Sequence, residues 1–225
     1  MSNNDNENLG TSIRRHSVRL GLFALGAAVL LASVNLLTTD RIAAQRVTAE
    51  REALAAVLPP VLHDNDLLEH AFTLSPAASD FTQLSLLGLS SARQGYLSQL
   101  DGNSNGVILP VETAEGYSGT ILLLLGINED GHITGVRVLQ HSETPGLGDK
   151  LELRKDDWIL DFDTLSLQNP TASGWQVKKD GGIFDQFVGA TITPRAVVLA
   201  VHRALQFFEL NRQQLLSAVP QERSE

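Results

Sequence analysis

The chain has 225 residues, 43% hydrophobic and 19% charged, which is the composition of an ordinary globular protein with one main domain and appendages. Its net charge of −9 argues against a nucleic-acid partner. It contains no cysteine, which excludes disulfide scaffolds, thiol catalysis, cysteine-ligated zinc and iron–sulfur sites.

The first predicted element is a transmembrane helix over residues 20–37. These residues carry no charged side chain and are long enough to cross the hydrocarbon core of a bilayer. Arg14, Arg15 and Arg19 precede them, so the positive-inside rule predicts that residues 1–19 form a cytoplasmic tail. The rest of the chain would then lie on the outer side of the cytoplasmic membrane. A cleaved signal peptide is the alternative, but the apolar run is long and no clear cleavage site follows it.

Good helix formers fill residues 38–60, and Pro59-Pro60 would end the helix that they predict. We therefore expect this segment to be a helical linker. Residues 61–216 are predicted to form the folded extracytoplasmic domain, and residues 217–225 a short C-terminal tail.

Within this domain, residues 117–127 and 132–140 predict a pair of strands around a turn that ends at Gly131. Residues 101–106, Asp-Gly-Asn-Ser-Asn-Gly, predict a loop rather than a calcium site, because the alternating acidic residues are missing. Short strands are expected at residues 175–177 and 184–187. Residues 61–74 are expected to hold a short helix.

The most informative segment, Asp-Gln-Phe-Val-Gly-Ala-Thr-Ile-Thr-Pro, runs from Asp185 to Pro194. Thr193-Pro194 predicts a helix start, because Thr is a favoured N-cap and Pro is favoured at the first helical position. Apolar residues follow at helical spacing to about Leu216. Thr191 would precede the helix N-terminus, where backbone N–H groups and the helix dipole favour a phosphate. The segment therefore predicts an anion site around Thr191.

This segment resembles the flavin-attachment motif, Asp-x-x-(Ser/Thr)-Gly-Ala-Thr, of the G subunit of Rnf electron-transport complexes and the C subunit of sodium-pumping NADH:quinone oxidoreductases. Val188 stands where the family has Ser or Thr. The resemblance covers roughly residues 10–212, and the Thr193-Pro194-Arg195 continuation favours the Rnf type. Three further matching segments precede the motif in order: 116–119 (Gly-Tyr-Ser-Gly), 141–150 (His-Ser-Glu-Thr-Pro-Gly-Leu-Gly-Asp-Lys) and 175–182 (Trp-Gln-Val-Lys-Lys-Asp-Gly-Gly).

The resemblance implies an α+β FMN-binding domain anchored by one N-terminal transmembrane helix. It implies that FMN is joined covalently to the Thr191 hydroxyl through a phosphoester bond. No residue is expected to be catalytic by itself, and the six histidines show no metal-ligand spacing, so no metal site is expected. The other residues implied to contact the cofactor are Gly189, Ala190, Thr193, Glu143, Thr144, Leu147, Gly148 and Lys178.

The implied function is that of a membrane-anchored electron carrier in an ion-translocating ferredoxin:NAD oxidoreductase. In such a carrier FMN supplies the redox chemistry, while the protein supplies position and electrostatics. The implied partners are the other membrane subunits of the complex, membrane lipid, and a flavin transferase that uses FAD to install the FMN.

Two alternatives remain open. The chain would be a non-redox, membrane-anchored scaffold if the fold persisted after loss of the flavin, and Val188 keeps this interpretation open because it lacks the family's hydroxyl. The second alternative is the C subunit of the sodium-pumping NADH:quinone oxidoreductase, which shares the same motif.

Overall fold

The computed structural model describes residues 3–78 and 80–217. It divides into two compact units, Met1–Glu50 and Arg51–Glu225. One helix, α1 (Asn3–Val57), makes up the described part of the first unit, and its last turns belong to the second unit. It ends just before Pro59-Pro60, as the sequence predicts.

The apolar segment of α1 is the part of the first unit that bears on function. Arg19–Thr39 is long and apolar enough to cross a membrane. Its large side chains, such as Phe23, Leu31 and Leu37, are exposed. A long row of exposed apolar side chains is unfavourable in water but not in hydrocarbon. This segment therefore fits a membrane anchor.

The second unit is built on a five-stranded antiparallel sheet in which each strand pairs with the next one in sequence, in the order β1-β2-β3-β4-β5. A C-terminal helix, α2, packs against β3. The bounds are β1 Ala71–Leu74, β2 Arg93–Leu100, β3 Asn103–Thr113, β4 Ile121–Asn128, β5 Ile133–Gln140 and α2 Ile192–Leu216.

Both faces of the central strands are covered, which explains the unbroken run of leucines in β4. Leu123 and Leu125 belong to the large core beneath α2, whereas Leu124 belongs to a smaller core that also contains Val57 of α1. Side chains alternate between the faces of a strand, so a strand buried on both faces reads as continuously apolar. The alternation thus divides one apolar run between two cores.

The end of α1 packs directly against a pair of glycines in the sheet. Gly126 of β4 and Gly135 of β5 are register partners. A Cβ added to either would come within 3.0 Å of a Val57 backbone atom. The Thr134 hydroxyl donates to the Val57 carbonyl at 2.7 Å and so satisfies one of the carbonyls left free at the helix end. The two glycines allow this close approach.

Several local predictions are wrong in detail. Residues 117–120 precede β4 rather than belong to it. The short helix expected in residues 61–74 is limited to the end of a 3-10 helix, Pro60–Leu62, and β1 forms the end of this segment. The expected strands at 175–177 and 184–187 are reduced to two isolated bridges, Val177 with Phe184 and Phe187 with Ala190. The expected loop at 101–106 is a tight hairpin turn followed by the start of β3.

Candidate functional site

The segment before α2 makes a tight turn from Phe187 to Ala190. The Ala190 N–H donates to the Phe187 carbonyl at 3.1 Å. Gly189, the third residue of the turn, has a φ of +83°, which side-chain-bearing residues rarely adopt. Val188, the second residue, is 87% exposed. The glycine therefore shapes the turn, while the residue that departs from the family motif points to solvent.

The start of α2 differs from the sequence prediction. The helix begins at Ile192, and its N-cap position is Thr191 rather than Thr193. Thr193 and Pro194 lie in the first helical turn, where the missing proline N–H costs no intrahelical hydrogen bond. The Thr191 hydroxyl makes no capping hydrogen bond, and the residue is only partly buried. Thr191 therefore presents an uncommitted hydroxyl at a helix N-terminus.

Glu143 is a buried carboxylate, 4% exposed, whose two oxygens bind different segments. Its Oε2 accepts a hydrogen bond from the fully buried Thr193 hydroxyl. Its Oε1 accepts one from the backbone N–H of Ser118 at 3.0 Å. Buried charge is tolerated when it is hydrogen-bonded in this way. Glu143 thus ties the 116–119 segment and its own loop to the first turn of α2.

Two glycines fit closely against this carboxylate. A Cβ on Gly148 would lie 2.8 Å from Glu143 Cβ and 2.8 Å from Oε2, and one on Gly116 would lie 2.9 Å from Oε1. Contacts this short require displacement of the carboxylate or of the loop. The close packing around Glu143 therefore explains why glycine occupies both positions of the matching segments.

The 144–148 loop reaches the attachment turn through Leu147. The Thr144 carbonyl accepts hydrogen bonds from the N–H groups of Leu147 at 3.1 Å and Gly148 at 3.0 Å. A Cβ on Gly189 would lie 3.2 Å from Leu147 Cδ2, so the loop and the turn are in contact. The structure thus brings together the two segments that the resemblance assigned to one site.

Two further side chains, which sequence reasoning did not assign to the site, hold this loop. Asp149 is buried, and its Oδ1 accepts from the Gly146 N–H at 2.7 Å. His141 Nδ1 accepts from the Glu143 N–H at 3.1 Å, which leaves Nε2 to donate to Glu152 at 3.0 Å. The only sequence signal for either residue is its place in the matching segment 141–150.

Two exposed ion pairs flank the turn and the helix start. Lys178 Nζ lies 2.7 Å from Asp185 Oδ1, so the lysine implied to meet the cofactor is paired with the first residue of the motif. Arg195 binds both oxygens of Asp180, at 2.5 and 2.6 Å, and this hydrogen bonding lowers the pKa of Asp180. These pairs are solvent-exposed, so they orient the segments more than they stabilise the fold.

The surface around Thr191 suits a ring system carried on a phosphate. Exposed apolar side chains come from each of the connected segments and could cover an aromatic ring. The N-terminus of α2 offers N–H donors and a favourable dipole to a phosphate. The exposed apolar residues are Tyr117, Leu147, Val188 and Ile192.

Among residues 3–78 and 80–217, no group of three or more His, Asp or Glu side chains could hold a metal ion.

Two family models match the chain. Residues 116–206 match the model of the FMN-binding domain, which runs from the Gly116 segment into α2, and residues 1–57 match the RnfG N-terminal region. The chain is also similar to the C subunit of a Na(+)-translocating NADH-quinone reductase from Parabacteroides distasonis, with a TM-score of 0.46 and 17% identity over 68% of this chain and 79% of that one.

Several relatives are similar to the chain at more than 40% sequence identity. The chain is 47% identical to the G subunit of the ion-translocating oxidoreductase complex of Pseudomonas aeruginosa strain UCBPP-PA14, over 92% of this chain and 93% of the relative. It is 44% identical to the corresponding protein of Shewanella piezotolerans over 92% and 94%, and 46% identical to that of Cereibacter sphaeroides over 75% and 71%. The chain therefore belongs to the RnfG family, the G subunits of ion-translocating oxidoreductase complexes, and carries that family's FMN-binding domain.

Proposed function

We propose that this protein is a membrane-anchored electron carrier of an Rnf-type complex, and that its FMN is bound covalently to Thr191. The contrast between the two threonines at the start of α2 carries this proposal. Thr193 is fully buried and its hydroxyl is committed to Glu143, whereas Thr191 is partly exposed and makes no capping hydrogen bond. Thr191 is the hydroxyl that a maturation enzyme can reach.

The attachment reaction we infer is a transfer of FMN from FAD. The Thr191 oxygen forms a bond to the phosphorus on the riboflavin side of the diphosphate, the bridging P–O bond breaks, and AMP leaves. The hydroxyl proton passes to a base on the flavin transferase. The product places a phosphodiester at the α2 N-terminus, where N–H groups and the helix dipole stabilise negative charge.

FMN supplies the electron-transfer chemistry, and the residues of this chain hold it in place. The Glu143–Thr193 hydrogen bond fixes the helix start that carries Thr191. Leu147 contacts the turn and, with Tyr117 and Ile192, offers apolar cover for the ring. A covalent bond keeps the cofactor at a high effective concentration on a face of the membrane where free flavin would be lost by dilution.

The attachment site can be tested by co-expressing the full chain with a flavin transferase. We expect peptide mass mapping to find one FMN adduct on the peptide with Thr191, and we expect Thr191→Ala to abolish it. Thr193→Ser is the matched control, because it keeps the hydroxyl that Glu143 binds and should keep the flavin. An adduct on Thr193, or no adduct on the native chain, would contradict the assignment.

The scaffold alternative has a distinct outcome in the same experiment. If the native chain takes up no flavin while Val188→Thr does, the transferase requires the missing hydroxyl. The native chain would then be a non-redox protein that retains the fold.

We also propose that the N-terminus is cytoplasmic and that the FMN-binding domain faces the periplasm. The arginines before the apolar segment support this orientation. A reporter active only in the periplasm, fused after Glu225, should be active, and a reporter that requires the cytoplasm should not. The reverse result would refute the orientation and leave the membrane anchor itself unaffected.

A further inference from the structure

A groove lies along the outer edge of β5, which is the last strand of the sheet. A cavity of about 500 Å³ separates the end of this strand from the segment Glu152–Arg154. At the beginning of β5, the N–H and carbonyl of Ile133 are bound at 2.8 Å by Leu165 and Thr164. Beyond Ile133, the described residues provide no further strand on this side. Along the rest of this edge no described strand pairs with β5, and the Val136 carbonyl accepts a hydrogen bond from the Arg137 side chain.

Arg137 lies in this groove without a carboxylate partner. It is partly buried, and its Nε is buried without a hydrogen bond. Its Nη1 donates only to the adjacent Val136 carbonyl, at 2.7 Å. No carboxylate of the described residues lies within ion-pair distance of it. An unpaired, partly desolvated cation is unfavourable, and it is unexpected in a chain of net charge −9.

The carboxylates nearest to this charge form no ion pair with it. Burial raises the pKa of Asp163, and the nearby charge of Arg137 offsets this only in part. The buried Oδ1 of Asp163 also lacks a hydrogen-bond partner. Glu152 is already bound by Arg154 and His141, which lower its pKa to about 2. Arg154 and Glu152 therefore neutralise each other, and Arg137 has no hydrogen-bonded carboxylate partner among the described residues.

Two exposed leucines lie beside the edge of β5 that no described strand covers. Leu139 is 46% exposed on β5, and Leu153 is 43% exposed across the cavity. A strand edge offers a row of main-chain donors and acceptors, and flanking apolar side chains provide contacts for alternate residues of an added strand. A phosphate ion would pair with Arg137 but would leave the edge and both leucines uncovered.

We propose that this groove binds an extended segment of another protein of the same complex, which pairs with the outer edge of β5 and places an Asp or Glu carboxylate on Arg137. The proposal rests on the assembly proposed above, but it is independent of flavin attachment. It gives the FMN-binding domain a docking surface next to the loop that begins at His141 and holds Glu143.

The test uses the full chain, expressed with the flavin transferase and the other proteins of its complex. A photoreactive benzoylphenylalanine replaces Leu139, and a matched variant carries it at Leu100, which is 39% exposed on β2, three strands away. We expect the Leu139 probe to crosslink to another protein of the complex, at a segment that contains Asp or Glu. Arg137→Glu should reduce this yield about tenfold, because charge-assisted hydrogen bonds contribute more than neutral ones. Arg137→Lys should retain most of it.

In-gel flavin fluorescence of the same samples reports whether the variant chain is folded and mature. Crosslinks only to lipid or to a second copy of this chain would overturn the proposal. An equal crosslink yield from the Leu139 probe with and without Arg137→Glu would also overturn it. A crosslink that persists without flavin fluorescence would count against covalent FMN and not against the docking surface.

Discussion

The hydroxyl of Thr193 donates a hydrogen bond to Oε2 of Glu143, fifty residues earlier in the chain. The other oxygen of the same carboxylate accepts from Ser118, so one buried side chain links three segments that are distant in sequence. Thr191 is two residues before Thr193, at the N-cap of the same helix. The pair therefore sets the position of the proposed flavin attachment point without using the attachment hydroxyl.

Glu143→Ala should destabilise the domain and lower flavin occupancy at Thr191. The change leaves two donors, Thr193 Oγ1 and the Ser118 N–H, without their acceptor, at a cost of about 1–3 kcal/mol for each group that stays buried. Glu143→Gln should be milder, because an amide has the same shape and can accept from one group while donating to the other. Thermal unfolding and the flavinylated fraction, measured on the same samples, check both expectations.

A double-mutant cycle with Thr193→Val isolates the Glu143–Thr193 bond. Residues in direct contact typically show an interaction energy of about 0.5–3 kcal/mol. If Glu143→Ala and Thr193→Val add independently, the hydrogen bond does not couple the loop to the helix, and the positioning role given to Glu143 is wrong.

Gly126→Ala should destabilise the second unit by about 1–3 kcal/mol through overpacking. The new Cβ would lie 2.6 Å from the Val57 carbonyl oxygen and 2.3 Å from Thr134 Oγ1. Thr134→Val is the companion variant, which removes the hydrogen bond to Val57 but adds no clash, and its cost should be nearer 0.5–1.5 kcal/mol. Chemical denaturation of the full chain in detergent compares them. Equal stabilities for Gly126→Ala and the native chain would show that the end of α1 is not held against the sheet.

The elements that the sequence predicts well are those whose signal is local. An uncharged apolar run and Pro59-Pro60 define the course of α1, and helical periodicity identifies α2. The start of α2 is misplaced by two residues because Thr193-Pro194 carries a strong N-cap signal, whereas the hydroxyl of Thr193 is taken by a carboxylate that local sequence does not reveal. Tertiary contact overrides the local preference at this point.

The sheet is only partly predictable from the sequence, because two of its strands have weak local signals. Strands β4 and β5 have apolar runs and a clear turn, whereas β2 contains Gly95 and β3 begins with polar residues and contains Pro110. Glycine and proline weaken a strand signal. The candidate site was found through the resemblance, while the buried carboxylate network that supports it became visible only in three dimensions.

The stability of the second unit should fall as the pH decreases below about 6.5, with a contribution from His202 on α2. Burial lowers the pKa of His202 below its usual 6.5, and its ring stacks on Trp175 at 5.3 Å. The unfolded chain therefore takes up this proton at a higher pH than the folded chain does. The contribution is complete above the unfolded pKa and is lost as the pH falls through the folded one. Melting temperatures between pH 7.5 and 5.5 should decline less steeply for His202→Gln than for the native chain, and parallel curves would exclude His202 as a source.

Val188→Thr should speed flavin attachment and leave thermal stability nearly unchanged. Position 188 is 87% exposed in the attachment turn, so an added hydroxyl creates no buried polar group there, and the β-branched shape is kept. Because residue 188 is exposed, a transferase that approaches Thr191 can contact its side chain. A hydrogen bond worth about 0.5–1.5 kcal/mol corresponds to a several-fold change in rate. Time courses of in-gel fluorescence at limiting transferase measure this effect, with Val188→Ala as the control that lacks both the hydroxyl and the branch. Equal rates for the native chain and Val188→Thr would show that the family's hydroxyl is dispensable for recognition of this turn.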